Sequence, residues 1–184
     1  MLGFKVLMVD DKDEFGRAWR IRSWYVDGNW SVDQWTEGKC FCYPDAIAAS
    51  NKSIFVNHWP FPPDEKDVSE KIMLSGCGIY VVTTFDLAWS WVGLIHTSHI
   101  ISTAVDQALK RDIGIFLVEC AGRVVVHEDG ARAEKAKIHA PIVGFVDPRL
   151  VEYLESEYGM YAVSKDDANM AVRYSWEEAL NAHR

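Results

Sequence analysis

Two runs of alternating residues flank the dipeptide Asp129-Gly130: Gly122-Arg123-Val124-Val125-Val126-His127-Glu128 before it, and Arg132-Ala133-Glu134-Lys135-Ala136-Lys137-Ile138-His139 after it. An Asp-Gly pair between such runs is a strong hairpin signal, because both residues accept the positive φ that a tight turn needs. The chain is thereby committed to antiparallel pairing. An apolar strand over residues 114–120 precedes the hairpin.

A second anchor lies upstream, where Gly76-Cys77-Gly78 opens the apolar run Ile79-Tyr80-Val81-Val82. Gly78 lets the chain enter a sheet in close contact, since it carries no Cβ. A buried strand is expected over residues 78–83. Alternation puts Ile79 and Val81 on one face and Tyr80 and Val82 on the other. The expectation is that Ile79 packs under the following helix and that Tyr80 faces the N-terminal, Trp-rich strands.

The remaining pattern is read from periodicity and punctuation. Residues 4–9 read as a short strand or an N-terminal lead-in. Residues 17–26 set Arg17, Arg20 and Arg22 against Trp19, Ile21 and Trp24, the period of two of a half-buried strand. Asp27-Gly28-Asn29 is a turn, and residues 30–35 a second, shorter strand. Residues 39–43 are briefly strand-like, residues 44–50 allow one or two helical turns, and residues 57–75, with Pro60, Pro62 and Pro63, read as loop. A helix starting at Thr84, continuous or broken near Gly93, is expected over residues 84–112, with Leu94, Ile95, Ile101, Val105 and Leu109 on its apolar face. Residues 142–146 add a strand. Residues 148–158 form a helix with Pro148 near its start and Gly159 past its end. Residues 165–172 and 176–182 are two short helices. The fold class is α+β: an antiparallel or mixed sheet, a long central helix over 84–112, and C-terminal helices packed on it. One domain spans 1–184, with a core over 17–147 and a helical appendage over 148–184.

Composition narrows the function classes. A hydrophobic share of 49% and a charged share of 25% suit a soluble globular protein. A net charge of −8 argues against nonspecific binding to nucleic acid or to an anionic membrane. The acidic residues are interspersed with Lys and Arg, which argues against DNA mimicry. The apolar stretch 79–109 is interrupted by Asp86, His96, His99 and Asp106, so no membrane span is expected. No leader sequence is evident, and the four Cys at 40, 42, 77 and 120 read as thiols or metal ligands of a cytoplasmic protein.

Eight Trp, five of them before residue 60, are the outstanding compositional feature. They build either a Trp-rich core or an aromatic binding face carried by Trp24, Trp30 and Trp59. Tyr80, His127, Glu128 and Arg132 are further candidates for ligand or partner contact, set against a simple cross-strand ion pair on the face that Arg132 and Glu134 share. Cys40, Cys42, His58 and Cys77 make a candidate Cys3His zinc set, with zinc as the candidate cofactor. His96 and His99 share a helix face and would need Asp106 or another carboxylate to hold a metal. No phosphate loop, serine-nucleophile elbow or zinc-protease motif occurs, and no Cys is flanked by a base, so no catalytic residue is assigned.

In order along residues 17–140, Arg17-Ala18-Trp19-Arg20, Trp35-Thr36-Glu37-Gly38, Cys40 or Cys42, His58-Trp59-Pro60, Cys77-Gly78-Ile79-Tyr80 and the Gly122–Ala133 hairpin resemble a family of small, functionally uncharacterised bacterial and phage proteins. Ser75 stands where that family tends to have a Cys, and the 85–112 insert is longer than usual. The resemblance implies an intracellular, often phage-related setting and no established activity. Gly76–Val81 also resembles, more weakly, the strand of the ADP-ribosyltransferase fold whose Tyr stacks on nicotinamide.

Three expectations follow. The first is a binding or interaction protein, conceivable as a phage accessory or anti-defence factor in the host cytoplasm, acting on a host protein or nucleotide. The second is an NAD-like nucleotide binder or an ADP-ribosyltransferase-like enzyme. The third is a zinc-stabilised structural module. The partner is then a protein or a small nucleotide, and homo-oligomerisation is left open.

Overall fold

The computed structural model describes residues 1–10, 19–23, 29–38, 78–98, 113–127 and 129–182. The chain is α+β. Its strands are β1 (Leu2–Asp10), β2 (Arg20–Ser23), β3 (Asn29–Trp30), β4 (Thr36–Glu37), β5 (Ile79–Val82), β6 (Ile113–His127) and β7 (Gly130–Pro141). Its helices are α1 (Phe85–Ser98), α2 (Pro148–Tyr158) and α3 (Lys165–Ala182).

Every pairing between these strands is antiparallel. β1 runs beside β6, β6 beside β7, β7 beside β5, and β5 returns to β1 through Phe4 and Val82. Those four strands therefore close a ring. β2 and β3 extend the sheet from the far end of β1, and β4 lies on β7.

Residues paired across a ladder share a face. Gly3, Lys5, Val81, Phe116, Val118, Ala131 and Ala133 accordingly point into the ring. The small residues are required there: a Cβ on Gly3 would lie 2.7 Å from Val81 Cγ2. On β2 and β3 the same face continues as Val9, Ile21 and Trp30, all buried.

The expected hairpin forms, with His127 opposite Gly130. Gly130 opens the return strand instead of sitting in the turn. A Cβ on Gly130 would strike the Val81 carbonyl oxygen, so close packing demands this glycine. Residues 113–127 form one continuous strand, bulged between Ala121 and Val124. There Gly122 takes φ 75°, and the Glu134 carboxylate accepts the Arg123 N–H at 3.0 Å.

α1 begins as its sequence indicates: the Thr84 hydroxyl accepts the Leu87 N–H at 3.3 Å. Phe85, Ala88 and Val92 form its buried stripe. Residues 99–112 lie outside the described residues. α2 has both predicted ends. The Asp147 side chain accepts the Arg149 N–H, Pro148 starts the helix, and Gly159 closes it at φ 64°.

Three expectations are corrected. Residues 142–146 are not a strand: Ile142 makes one bridge to Val163, and the chain then turns through Gly144 at φ 80°. The two C-terminal helices are one, because Ala168, Val172 and Trp176 recur every four residues on one buried face across the Ser175 position. The strand expected over 30–35 stops at Trp30, where a turn over 31–34 with Asp33 at φ 61° precedes β4.

α1 and α3 cover the outer face of β1. Phe4 meets the Phe85 ring edge-on at 6.0 Å. The Trp176 indole donates to the Leu2 carbonyl at 2.7 Å, and the Asn169 amide oxygen accepts the Phe85 N–H. Leu150 and Leu154 of α2 belong to the same buried cluster as the sheet residues. No helix among the described residues is long and apolar enough to cross a membrane.

Candidate functional site

Between α2 and the β2–β3 end of the sheet lies a cleft of about 370 Å³. Its floor is Ile21, Trp30, Leu150 and Leu154, all buried. Trp19, Tyr153 and Tyr158 stand at its walls, and Arg20, Ser31, Val32 and Gln34 complete the lining. Local structure explains the assembly. Alternation on β2 sends Ile21 inward, and the helical spacing of Leu150 and Leu154 turns one face of α2 toward it, with Tyr153 on the flank. The turn over 31–34 carries Ser31 and Gln34 to the opening.

Two contacts fix the aromatic walls. The Arg149 guanidinium lies 5.6 Å from the Trp19 ring centre and is itself held by Asp147 at 2.8 Å. Tyr153 meets Tyr158 edge-on at 5.9 Å. A hydrogen bond with Tyr158 is the main reason the Tyr153 phenol keeps its proton above the ordinary range, with burial second. Trp30 is anchored from behind, where its indole donates to the Ser23 hydroxyl at 2.8 Å.

A second cluster forms on the outside of the ring. Tyr80 and Arg132 stand opposite each other on β5 and β7, and the Arg132 guanidinium lies 5.2 Å from the Tyr80 ring centre. Trp91 of α1 stacks on the same ring at 5.1 Å, the planes 23° apart. This reverses the expectation for β5: Tyr80 faces α1, and Ile79 faces the interior with Val81. Closure of the ring sets the parity, since Val81 must oppose Gly3, and the short link through Thr83 and Thr84 folds α1 back over the other face. Burial raises the Tyr80 pKa, and the Asp129 carboxylate adds to the effect.

Lys5 is the third notable group. It points into the ring half-buried, donates to the Tyr80 carbonyl at 3.0 Å, and lies 5.9 Å from the Trp30 ring centre. Burial lowers its pKa to about 8. Cys120, nearby, is buried and its thiol is pushed up to about 12, so it is a packing residue and not a nucleophile.

Of the sequence candidates, the structure brings Tyr80 and Arg132 together and puts Trp30 in the cleft floor. The Glu134 carboxylate serves the bulge, accepting the Arg123 N–H. His127 ends β6. Trp24, Trp59, Glu128, Cys40, Cys42, His58, Cys77, His99 and Asp106 lie outside the described residues. Among the described residues no group of three or more His, Cys, Asp or Glu side chains is positioned to hold a metal ion. Sequence reading missed Trp19, Tyr153 and Tyr158 as cleft residues. The available signal was Tyr153 and Tyr158 on one amphipathic helix, but nothing local ties that helix to β2. No family model, curated protein or solved structure matches the chain.

Proposed function

We propose that this chain is a small binding protein and that the aromatic cleft between β2–β3 and α2 is its recognition site. The observation that carries this reading is the lining itself: Trp19, Tyr153 and Tyr158 stand over a buried floor of Ile21, Trp30, Leu150 and Leu154. Trp and Tyr give large, stiff contact area, and concave sites lined by such rings are where ligands and partner anchors dock. The resemblance to small bacterial and phage proteins supports an accessory role directed at a host protein or nucleotide.

An NAD-like ligand stacked on Tyr80 is the less well supported reading. Trp91 and Arg132 already lie against that ring. The zinc module rests on residues outside those described.

The test is thermal-shift screening and affinity capture, run in parallel on the wild type and on a Trp19→Ala/Tyr153→Ala variant that retains its circular dichroism. A ligand at a hundred times its Kd should stabilise the wild type by about 2.7 kcal/mol. The variant should lose that shift and any captured partner. Equal binding to both proteins would move the site elsewhere.

A further inference from the structure

We infer that the fork in the sheet, where β5 and β2 leave the same edge of β1, is a binding site for a small carboxylate held by the Lys5 ammonium. The site meets the cleft only through Trp30, and it does not rest on the cleft being the recognition site.

Strand register makes the fork. Met1 exchanges hydrogen bonds with the Cys120 backbone, through its N-terminal amine at 3.1 Å and its carbonyl at 2.7 Å. Odd-numbered residues of β1 therefore aim their backbone groups at β6, and Phe4, Val6 and Met8 aim theirs at the opposite edge. Two strands share that edge. β5 reaches it at Phe4 alone, and β2 reaches it from Leu7 onward. Among the described residues, Lys5 and Val6 stand between the two and pair only with β6. On β5 the Thr83 N–H goes to Asp129 on the β7 side, so the Tyr80 and Val82 backbone groups face β1. A continued ladder would offer the Tyr80 carbonyl to Val6. In the fork the Lys5 ammonium takes that carbonyl, at 3.0 Å.

Charge makes the fork a site. An ammonium has three N–H donors and a full positive charge. Lys5 has one hydrogen-bond acceptor, a neutral carbonyl, and the Trp30 ring centre 5.9 Å away. Among the described residues no carboxylate pairs with it. The charged group acting on it from β7 is Arg132, a second cation, and the titratable group from β6 is Cys120, whose thiol is pushed up to about 12 and stays protonated. A cation in these surroundings lacks a counter-ion, and burial accordingly lowers its pKa to about 8. An anion in the fork supplies the missing charge and accepts the remaining N–H groups.

Valence and size select the carboxylate. One negative charge neutralises one ammonium, and the two oxygens of a carboxylate match the two donors left over. A phosphate dianion would bring an excess charge into the same poorly solvated place. The fork spans two residues of β1, about 7 Å of strand, which suits a carboxylate head and not a ring system. Lys5 is only half-buried, which leaves a route from solvent for a small anion.

The experiment follows the lysine side-chain carbon resonances of the full chain through a pH titration, with the Lys5 signal assigned by its loss in Lys5→Met. The probes are sodium acetate, its neutral counterpart acetamide, inorganic phosphate, and sodium chloride at matched ionic strength. Without a probe Lys5 should titrate near pH 8. Saturating acetate should raise that midpoint by about one pH unit or more, which is a tenfold or greater preference for the protonated amine. Acetamide and chloride should leave it in place. Acetate should bind about tenfold more weakly at pH 10 than at pH 7, by the same linkage. Lys5→Met should lose acetate binding while keeping its circular dichroism. If that variant does not fold, the wild-type titration decides alone. An unmoved midpoint in acetate overturns the inference, and so does an equal rise in chloride, which would assign the effect to screening. A larger rise with phosphate than with acetate overturns the carboxylate as the ligand class. A midpoint near 10.5 without any probe would put the ammonium in solvent and overturn the site. None of these results touches the cleft, which is tested by the Trp19→Ala/Tyr153→Ala variant.

Discussion

The Lys5 ammonium lies 5.9 Å from the centre of the Trp30 ring, with the Tyr80 carbonyl as its acceptor and no salt-bridging carboxylate among the described residues. A cation held there destabilises the fold, because burial brings its pKa from 10.5 to about 8. The sign follows from linkage. Between pH 8 and 10.5 the unfolded chain binds more protons than the native one, so this group's contribution rises with pH across that window. Below pH 8 the penalty is fully present. Lys5→Met should therefore raise stability at pH 7 by about 1–3 kcal/mol and flatten the rise toward pH 10, as read from denaturant midpoints at both pH values. A large loss of stability in Lys5→Met would show that the Trp30 and Tyr80 contacts outweigh desolvation.

Tyr80 is sandwiched by contacts from two other elements, so its ring is structural. Tyr80→Ala should cost about 2–3 kcal/mol, less than a fully buried aromatic because the ring is partly exposed. Tyr80→Phe should cost less than about 1 kcal/mol. Trp91→Ala should cost about 1–2 kcal/mol, and a double-mutant cycle with Tyr80→Ala should show coupling of about 0.5–1.5 kcal/mol. Additive effects would mean the stack contributes no energy of its own.

Two glycines on the β6–β7 hairpin are fixed for different reasons. Gly130→Ala meets the Val81 carbonyl, a backbone atom that cannot step aside, and should cost about 2–4 kcal/mol. Gly122→Ala combines φ 75° with contacts on the Glu134 carboxylate, which can swing aside, and on the Glu134 Cβ, which cannot, and should cost about 1–3 kcal/mol. Thermal melts of both variants check the order, and Gly122→Ala should not be the worse.

Asp147 closes the start of α2 and steadies the Trp19 wall through Arg149. Hydrogen bonding to the Arg149 side chain lowers its pKa, so its contribution is present above the unfolded value of 3.8 and is lost as pH falls through the native one. Asp147→Ala should cost about 1 kcal/mol at pH 7 and progressively less as pH falls below 3.8, measured by urea unfolding. A variant as destabilising at pH 2 as at pH 7 would assign the effect to packing.

Local signals alone determined much of this protein. Asp129-Gly130, Thr84, Pro148 and Gly159 each act through their own backbone or their nearest neighbours, so the hairpin and three helix ends were legible. Alternation marked β2, and the apolar run after a glycine turn marked β5. Tertiary structure decided the rest, because the deciding partners are far away in sequence. Ring closure from β1 to β5 set which face Tyr80 occupies. Gly144 turned an apolar run from a strand into a corner, and one continuous buried face fused two expected helices into α3. The cleft itself joins Trp19 and Trp30 to Tyr153 and Tyr158 across more than a hundred residues, a juxtaposition that no period or motif in the sequence encodes.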